Sequence, residues 1–458
     1  MGRMPSTILS SKRLRCGVTA PPQTLSGSDL FNGHIGIPVV LVYPQGLDLR
    51  RTEAALSEVL THYPILCGRM KKGADGHAFV DVNDAGIDYR LHDCAGPLPA
   101  TGPDSGFADT LKRYFKPFLP WQLVNKGQPL LQVNLFRFEC GGVILCCHAP
   151  HSLMDGSAYW QFMRDWSALS RAEAITVPSF DRQTVIQAAH GRAVPAEAGL
   201  LYDPPMGERL GLFGRLGWRA LTSLKKGVIR VPAHTVQHWK GEARRLLPPE
   251  AGVSTAELVG AWCIQQLSPL MPSARERSVG IVLDLRHKRR LRIPRDLFGN
   301  ALGYGEARYS REALATESLP ELARRCRPAP EQVSQEALLD FLALMEAYRQ
   351  RRAIWRLFWR PAGETVEAGL ILNNCVNFPI YDIDFGSGGP AWYDICAVAF
   401  RMLMVVPTPE QDGGVDLHLT ARPAELRALK AAMARLSAGA AAQAPAPAAD
   451  LGDGLQTA

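Results

Sequence analysis

No run of apolar residues in this 458-residue chain approaches the roughly 18–20 residues that cross a bilayer, and the amino terminus lacks the apolar core of a signal peptide. The ten cysteines are scattered, mostly inside apolar segments, and none forms a C-x-x-C pair, which indicates neither a disulfide framework nor a zinc site. The net charge is only +7, from 51 Lys and Arg against 44 Asp and Glu, below what a nucleic-acid-wrapping protein carries. We therefore expect a soluble, cytoplasmic protein without a nucleic-acid partner.

The chain does contain the apolar material for a large core. It is 47% hydrophobic and 21% charged, with a mean hydropathy of −0.06, which excludes disorder over most of its length. A segment rich in Gly, Pro and Arg after residue 190 and an Ala/Pro/Gly-rich end interrupt the apolar pattern. We predict an N-terminal domain over 1–190, a crossover linker over 191–227, a C-terminal domain over 228–436 and a disordered tail over 437–458.

Hydrophobic periodicity predicts strands interleaved with helices in both halves. The predicted elements of the first half are an amphipathic helix over 49–63, a helix after residue 156, and strands over 38–43, 78–82, 131–138 and 142–147. Those of the second half are a helix from Ser254, a strand over 278–285, helices between 331 and 359, strands over 397–406 and 415–420, and a last helix from Pro423. This alternation is typical of an α/β fold, and we expect mixed sheets.

The strongest local signal is the sequence from Cys146 to Gly156, which contains an H-x-x-x-D-G pattern at His151 and Asp155. An apolar strand ends, the chain turns at Pro150, and a helix begins just after the pattern. This arrangement would hold an imidazole at a sheet edge, where it can accept a proton at neutral pH. The residues alone leave two alternatives, an ordinary surface turn and a metal site at His148, His151 and Asp155, for which no fourth ligand is suitably spaced.

Two further patterns suit anions. Ser254-Thr255-Ala256-Glu257 predicts a helix capping box, and the amino end of a helix attracts negative charge. The basic run 286–290, with Arg292 and Arg295 after it, suits a phosphate contact, a nuclear signal, a nucleic-acid patch or a solvated loop.

Together with a second motif, Asp384-Phe385-Gly386-Ser387-Gly388, the H-x-x-x-D-G pattern resembles the BAHD acyltransferase family, whose signatures are HxxxD and, further along, DFGWG. Segments in the family's order include Pro21-Pro22, 25–29, 63–69, 128–133, 253–255, 284–286 and 298–301. The chain departs from the family at Ser387 and Cys375, where plant members carry Trp. Asn377 stands where shikimate-using relatives carry Arg, which argues against a carboxylated acceptor of that type.

The resemblance implies two similar chloramphenicol-acetyltransferase-like domains with an active-site channel at their interface. It implies that His151 is the general base and that Asp155 pairs with Arg286. The residues implied to be structural at the active site are Asp155, Gly156, Arg286, Asp384, Phe385, Gly386 and Gly388. Those implied to contact CoA are Ser254, Thr255 and Arg286, and those implied to line the acceptor channel are Asn374 and Asn377.

The implied activity is transfer of an acyl group from acyl-CoA, a co-substrate, to a small-molecule alcohol or amine by a monomer. No permanently bound cofactor and no metal are expected. A non-catalytic acyl-CoA or lipid binder of the same fold is the alternative. A peptide-forming condensation domain shares the HxxxDG pattern but normally doubles the His, whereas Pro150 precedes His151 here.

Two possible membrane signals remain open. Gly2 lies in a loose myristoylation pattern, and the acid-free segment 209–241 carries seven basic residues among apolar ones. We interpret the segment as the crossover between domains and expect no membrane contact.

Overall fold

A computed structural model describes residues 6–33, 35–118, 120–198, 200–272, 276–396, 398 and 400–443. Gly2 and most of the predicted tail, residues 444–458, lie outside the described residues. Within those ranges, no helix is both long and apolar enough to cross a membrane.

The strands divide between the two halves of the chain. Those of the first half are β1 (Ser6–Leu14), β2 (Gln23–Thr24), β3 (Gly36–Tyr43), β4 (Arg69–Lys72), β5 (Ala78–Asp81), β6 (Ile87–Cys94), β7 (Gln132–Phe138) and β8 (Val143–Pro150). Those that follow are β9 (Leu201–Tyr202), β10 (Lys225–Val231), β11 (Glu276–Asp284), β12 (Leu302–Ser310), β13 (Phe358–Trp359), β14 (Gly369–Asn374), β15 (Trp392–Ile395), β16 (Met402–Pro407) and β17 (Val415–Ala421).

Helices follow most of these strands. Those of the first half are α1 (Gly27–Phe31), α2 (Leu49–His62), α3 (Pro120–Leu123), α4 (Gly156–Ser170) and α5 (Gln183–Gln187). Those that follow are α6 (Met206–Thr222), α7 (Ala233–Leu246), α8 (Thr255–Leu267), α9 (Arg311–Thr316), α10 (Leu319–Arg324), α11 (Gln335–Gln350), α12 (Arg360–Glu364) and α13 (Pro423–Gln443).

Two six-stranded mixed sheets form the frame of the molecule. The first has the order β1-β6-β7-β8-β3-β15 and the second β10-β17-β16-β14-β11-β12. Only β6–β7, β11–β14 and β14–β16 pair in parallel among the ladders of these two sheets in the described chain. The predicted α/β class with mixed sheets is confirmed.

Apolar residues at helical spacing explain how helices cover the first sheet. The stripe buried on α2 and α4 consists of Ala55, Leu56, Val59, Leu60, Tyr159, Phe162, Met163 and Trp166. Trp166 Nε1 donates a hydrogen bond to the carbonyl of Thr52 (2.9 Å), which fixes α4 against α2. This contact matters for function because the candidate base lies just before α4.

One segment of the second half belongs to the first sheet. Strand β15 pairs antiparallel with β3, and Tyr43 Oη donates to the carbonyl of Ile383 (2.9 Å). Phe385 is buried against Trp166, with ring centroids 4.8 Å apart. The predicted domain division near residue 228 is therefore crossed by the stretch from 383 to 395, because its apolar side chains complete the first core.

A buried charged cluster joins the two sheets where β10 and β15 approach each other. Lys226 on β10 forms an ion pair with Asp394 on β15, and His418 Nδ1 on β17 lies 3.3 Å from the same carboxylate. All three side chains are almost fully buried. Since a buried charge is costly without a partner, this pair favours the observed docking of the second sheet on the first.

The predicted crossover contains a 17-residue helix, α6, where no regular element was expected. Among the seven basic residues of segment 209–241, three are paired internally: Arg209 with Asp203, Lys226 with Asp394 and Arg230 with Asp416. The basic surface available to an anionic membrane is therefore smaller than the sequence indicates.

The chain end also differs from the prediction. Helix α13 continues to Gln443, so residues 437–443 are helical where a disordered tail was expected to begin. The reason is that alanine has the highest helix propensity, so an Ala-rich segment extends a helix without needing a core.

Candidate active site

His151 lies at the carboxyl end of β8, in the middle of the first sheet. Every residue of β8 is buried, and its neighbours β7 and β3 hold it on both sides. The backbone N–H of His151 donates to the carbonyl of Ile35 (2.9 Å), and Asp155 then caps the start of α4 by accepting from Ala158 N (3.1 Å). The loop is thus anchored before and after the imidazole.

One ring nitrogen of His151 forms a hydrogen bond with the side chain of Asn300. His151 Nδ1 lies 3.0 Å from Asn300 Oδ1. Asn300 Nδ2 donates to the carbonyl of His151 (2.8 Å) and to Asp29 Oδ1 (3.0 Å), so its amide oxygen must face the ring. An oxygen there accepts, so neutral His151 carries its proton on Nδ1, and Nε2 presents a lone pair. Nε2 has no hydrogen-bond partner among the described residues.

A buried carboxylate holds Asn300 in this orientation. Asp29 Oδ1 also accepts from the backbone N of Asn300 (3.0 Å), and Asp29 Oδ2 accepts from Ser26 N (2.9 Å) and Arg182 Nε (3.1 Å). Arg182 Nη2 then donates to the carbonyl of Leu153 in the loop after His151 (2.8 Å). Three distant parts of the sequence therefore fix one imidazole.

Sequence reasoning missed Asn300, Asp29 and Arg182 as site residues. Asp29 and Asn300 lie in segments that match the resembled family, 25–29 and 298–301, and that match was the available signal. A match in order along the chain does not show which side chains meet across 271 residues.

Asp155 faces away from the imidazole and binds Arg286. Arg286 Nη1 donates to Asp155 Oδ2 (2.8 Å) and Nη2 to Oδ1 (3.1 Å), a bidentate pair in which both side chains are buried. Asp155 Oδ2 also accepts from the backbone N of Ala301 (2.9 Å). Asp155 therefore ties the His151 loop to the second half of the chain, next to Asn300.

Both terminal nitrogens of Arg286 donate hydrogen bonds within this buried network. Besides Asp155, its terminal nitrogens donate to Asp284 Oδ1 (3.1 Å) and to the carbonyls of Leu297 (3.0 Å) and Gly299 (2.9 Å). The side chain is 3% exposed. The contact with CoA that the resemblance implied for Arg286 is not compatible with this burial, because these two nitrogens already have partners.

Close packing explains why the residue after Asp155, Gly156, is a glycine. A Cβ at Gly156 would lie 2.8 Å from Cζ of Phe378, so any larger residue would displace that ring. Phe378 brings the segment 374–378 close to the start of α4. Within that segment, Asn374 and Asn377 are both exposed, and Asn374 Oδ1 accepts from Val376 N (3.2 Å).

The 384–388 motif lies at the opposite end of α4. Asp384 Oδ1 accepts from the backbone N–H groups of Gly386 (2.6 Å) and Gly388 (2.8 Å), whose positive φ angles of 103° and 95° favour glycine. Ser170 Oγ, at the end of α4, donates to the carbonyl of Phe385 (2.9 Å). A helix of 15 residues spans about 22 Å, so this motif is remote from His151 and supports the helix instead.

Ser254 and Thr255 begin α8 with the predicted capping box. Ser254 N donates to Glu257 Oε2 (2.7 Å), and Glu257 N donates to Ser254 Oγ (3.2 Å). Ser254 is exposed and Thr255 partly so. Within the described ranges, no hydrogen bond or ion pair joins either residue to His151.

The basic run after Arg286 is exposed. The side chains of Arg289, Arg290, Arg292 and Arg295 are solvent-accessible and form no ion pair with any residue in the described part of the chain. Four unpaired guanidinium groups on one short loop form a site of strong positive potential.

A metal site at His148, His151 and Asp155 does not form. His148 Nδ1 lies 3.2 Å from the carbonyl of Lys116, its ring packs on Phe118, and burial lowers the pKa of His148 to about 3. Over residues 6–443, apart from the gaps given above, only Cys16, Cys67 and Asp84 form a group of His, Cys, Asp or Glu side chains close enough to share an ion.

Comparison with known proteins gives consistent results. A family model described as "Transferase family" matches residues 20–436. A hydroxycinnamoyl-CoA:5-hydroxyanthranilate N-hydroxycinnamoyltransferase of Avena sativa is 26% identical over 416 residues, which cover 86% of this chain and 90% of that protein.

Two solved structures share the fold. Vinorine synthase superposes with a TM-score of 0.68 at 18% identity, covering 94% of this chain and 98% of its own. F. graminearum TRI101 complexed with ethyl coenzyme A superposes with a TM-score of 0.70 at 16% identity, covering 90% and 97%. The predicted two-domain, chloramphenicol-acetyltransferase-like fold is confirmed.

Proposed function

This chain belongs to the Transferase family, the BAHD acyltransferases, and is an acyl-CoA-dependent O- or N-acyltransferase; we propose that His151 is the general base of the transfer. The observation that carries the proposal is the hydrogen bond between His151 Nδ1 and Asn300 Oδ1, which leaves Nε2 as the free lone pair. A base must present this lone pair to the proton that it removes.

The reaction then needs one base and no covalent enzyme intermediate. The acceptor O–H or N–H bond breaks as its proton passes to His151 Nε2, and the acceptor oxygen or nitrogen forms a bond to the thioester carbonyl carbon. The tetrahedral intermediate collapses with cleavage of the C–S bond, and the CoA thiolate takes the proton back from His151.

The surroundings of His151 stabilise the cation formed in the first step. Asn300 Oδ1 keeps its hydrogen bond when the ring is protonated, and the charges of Asp155 and Asp29 act on the ring from nearby. Burial nevertheless has the largest effect and lowers the pKa of His151 below its usual 6.5. The resting enzyme therefore holds a neutral base at physiological pH.

This pKa sets the expected pH dependence. With an alcohol acceptor, kcat/KM should be flat above about pH 6.5 and should fall tenfold per pH unit only below the lowered pKa, because protonated His151 cannot accept a proton. Rates measured over about pH 5 to 9 should therefore be flat from about pH 6.5 upward, with any fall confined to lower pH. A limb centred above pH 7 would contradict the assignment.

Acid unfolding must be separated from that limb. Buried His148, with a pKa of about 3 when folded and 6.5 when unfolded, takes up its proton preferentially in the unfolded chain. Stability therefore falls as the pH drops from 6.5 toward 3, and tryptophan fluorescence at each pH should accompany the rates.

We place the CoA phosphates against the exposed loop of Arg289, Arg290, Arg292 and Arg295, with Ser254 and Thr255 at the start of α8 as further contacts. Guanidinium groups bind phosphate with charge-assisted hydrogen bonds, and a helix amino terminus favours anions. The coenzyme A in the TRI101 complex supports a CoA site in this fold.

Removing two charges from this loop should weaken donor binding. For Arg289→Ala/Arg290→Ala we expect a rise of about tenfold in the KM for acyl-CoA, corresponding to about 1.4 kcal/mol, with kcat nearly unchanged. The effect should shrink as salt is added. Arg244→Ala/Arg245→Ala, which removes two exposed charges from α7, is the matched control, and an equal KM change there would contradict the assignment.

We propose a small neutral alcohol or an amine as acceptor, bound beside the segment 374–378. Asn377 supplies no cation for an acceptor carboxylate.

All of the groups in the proposed mechanism lie in one chain, so a monomer suffices. All ten cysteines are free thiols, which suits the reducing cytoplasm where CoA thioesters are made.

The direct test mixes the protein with a panel of acyl-CoA donors and acceptors and follows the release of free CoA thiol. We expect turnover with at least one pair and its loss in His151→Ala. Binding of acyl-CoA without His151-dependent turnover by any pair would favour the non-catalytic binder instead.

A further inference from the structure

Two cysteines and an aspartate that are far apart in the sequence meet at one edge of the first sheet. Cys16 follows β1, Cys67 ends the 3₁₀ turn Pro64–Cys67 after α2, and Asp84 lies in the loop before β6. Their sulfur atoms and a carboxylate oxygen all lie within 4.8 Å of one another. The absence of a C-x-x-C pair could not reveal this group, because folding rather than spacing creates it.

We propose that Cys16, Cys67 and Asp84 bind a divalent cation of the zinc class. Thiolate ligands select zinc and other soft or borderline ions over magnesium or calcium, and a carboxylate oxygen is a common companion ligand. Three protein ligands leave a fourth position for water. The site is separate from the acyltransfer chemistry and does not rest on it.

The ligands are held in place before any ion arrives. Asp84 Oδ1 accepts from Cys16 N (2.8 Å), and Asp84 Oδ2 accepts from Gly17 N (3.0 Å). Cys16 Sγ lies 3.3 Å from Asp84 Oδ1, the separation of two adjacent ligands around one ion, and Gly86 N donates to the carbonyl of Cys67 (2.9 Å). Such outer hydrogen bonds orient metal ligands and limit the entropy lost on binding.

The charged side chains around the site suit a bound ion whose ligands give the complex a net negative charge. Two thiolates and one carboxylate around a divalent cation carry a net charge of −1, and basic side chains surround the loop. Arg69 donates to the carbonyls of Ala85 (2.9 Å) and Gly86 (2.8 Å), and a Cβ at Gly86 would meet the side chains of Arg13 and Arg15. Arg13 is paired with Asp88 (2.8 Å), whereas Arg15 and Arg69 form no ion pair with any described residue and would offset the excess negative charge without occupying the ligand atoms.

Such an ion would connect three elements. Cys16 lies two residues after the edge strand β1, which is exposed along most of its length and pairs only with β6 in the described chain. A ligand bond from Cys16 to a centre shared with Cys67 and Asp84 would fasten this edge to the turn after α2. The expected role is therefore structural.

Cobalt(II) titration of the full-length protein, reduced and with its thiols counted beforehand, tests the proposal. We expect one equivalent to bind with a thiolate-to-cobalt charge-transfer band, and zinc to displace it. Cys16→Ser, a partly exposed position, should lose the band and weaken binding at least tenfold, and Cys67→Ser should do the same. Cys140→Ser, at an exposed cysteine outside the group, should bind as the parent does.

A second measurement covers the case in which Cys67→Ser folds poorly. Zinc should raise the thermal midpoint of the parent and of Cys140→Ser but not that of Cys16→Ser. Equal cobalt binding by Cys16→Ser, or no binding by parent protein with all thiols free, would overturn the proposal. Formation of a Cys16–Cys67 disulfide by protein that binds no metal would also overturn it, in favour of a redox pair.

Discussion

Replacing His151 with alanine should lower kcat by about 100- to 10,000-fold, the contribution expected of a positioned general base. The loss should appear in kcat and kcat/KM together, because the proton transfer is made in the transition state and not in substrate binding. The measurement is CoA thiol release with the most active donor and acceptor pair. The fold should persist, because the substitution leaves the backbone of residue 151 intact. Its N–H still donates to the carbonyl of Ile35, and its carbonyl still accepts from Asn300 Nδ2.

Two further variants make this result specific. His190→Ala removes an exposed histidine elsewhere and should leave the rate unchanged. Asn300→Ala should give an intermediate loss of roughly 10- to 100-fold, since it frees the imidazole to rotate and to change tautomer while keeping the base. A His151→Ala enzyme with the parent rate would show that His151 is not the base, whatever its position.

Sequence patterns located the loop of this site but not its support. The strand, turn and helix around His151 are local, so apolar runs, Pro150 and the Asp155 cap were enough to predict them. The support comes from Asp29 and Asn300, whose side chains meet only after both halves of the chain have folded. Periodicity and spacing carry no information on such a contact.

The resemblance to a family had a similar limit. It singled out the Asp384–Gly388 motif and implied a place for it at the active site, whereas Phe385 packs at the far end of α4. Likewise, β15 could not be assigned to the first sheet from order along the chain. In both cases the burial of an aromatic side chain in the first core decided the position.

Asp155→Asn should destabilise the protein as well as slow it. We expect a loss of about 3–5 kcal/mol in the free energy of unfolding, because Arg286 would keep a buried positive charge whose main carboxylate partner is gone. The remaining partner, Asp284, is partly exposed and lies 3.1 Å from Arg286 Nη1. Urea unfolding followed by tryptophan fluorescence would measure the loss, alongside the rate of thiol release.

The comparison of variants separates a structural role from a catalytic one. Asp181→Asn, at an exposed carboxylate, should change neither stability nor rate. Replacing both partners, as in Asp155→Asn/Arg286→Met, should recover part of the lost stability, because no buried charge is then left unpaired. If Asp155→Asn unfolded at the parent urea concentration but turned over slowly, Asp155 would act on His151 directly. The orientation of its carboxylate toward Arg286 and Ala301 predicts the opposite.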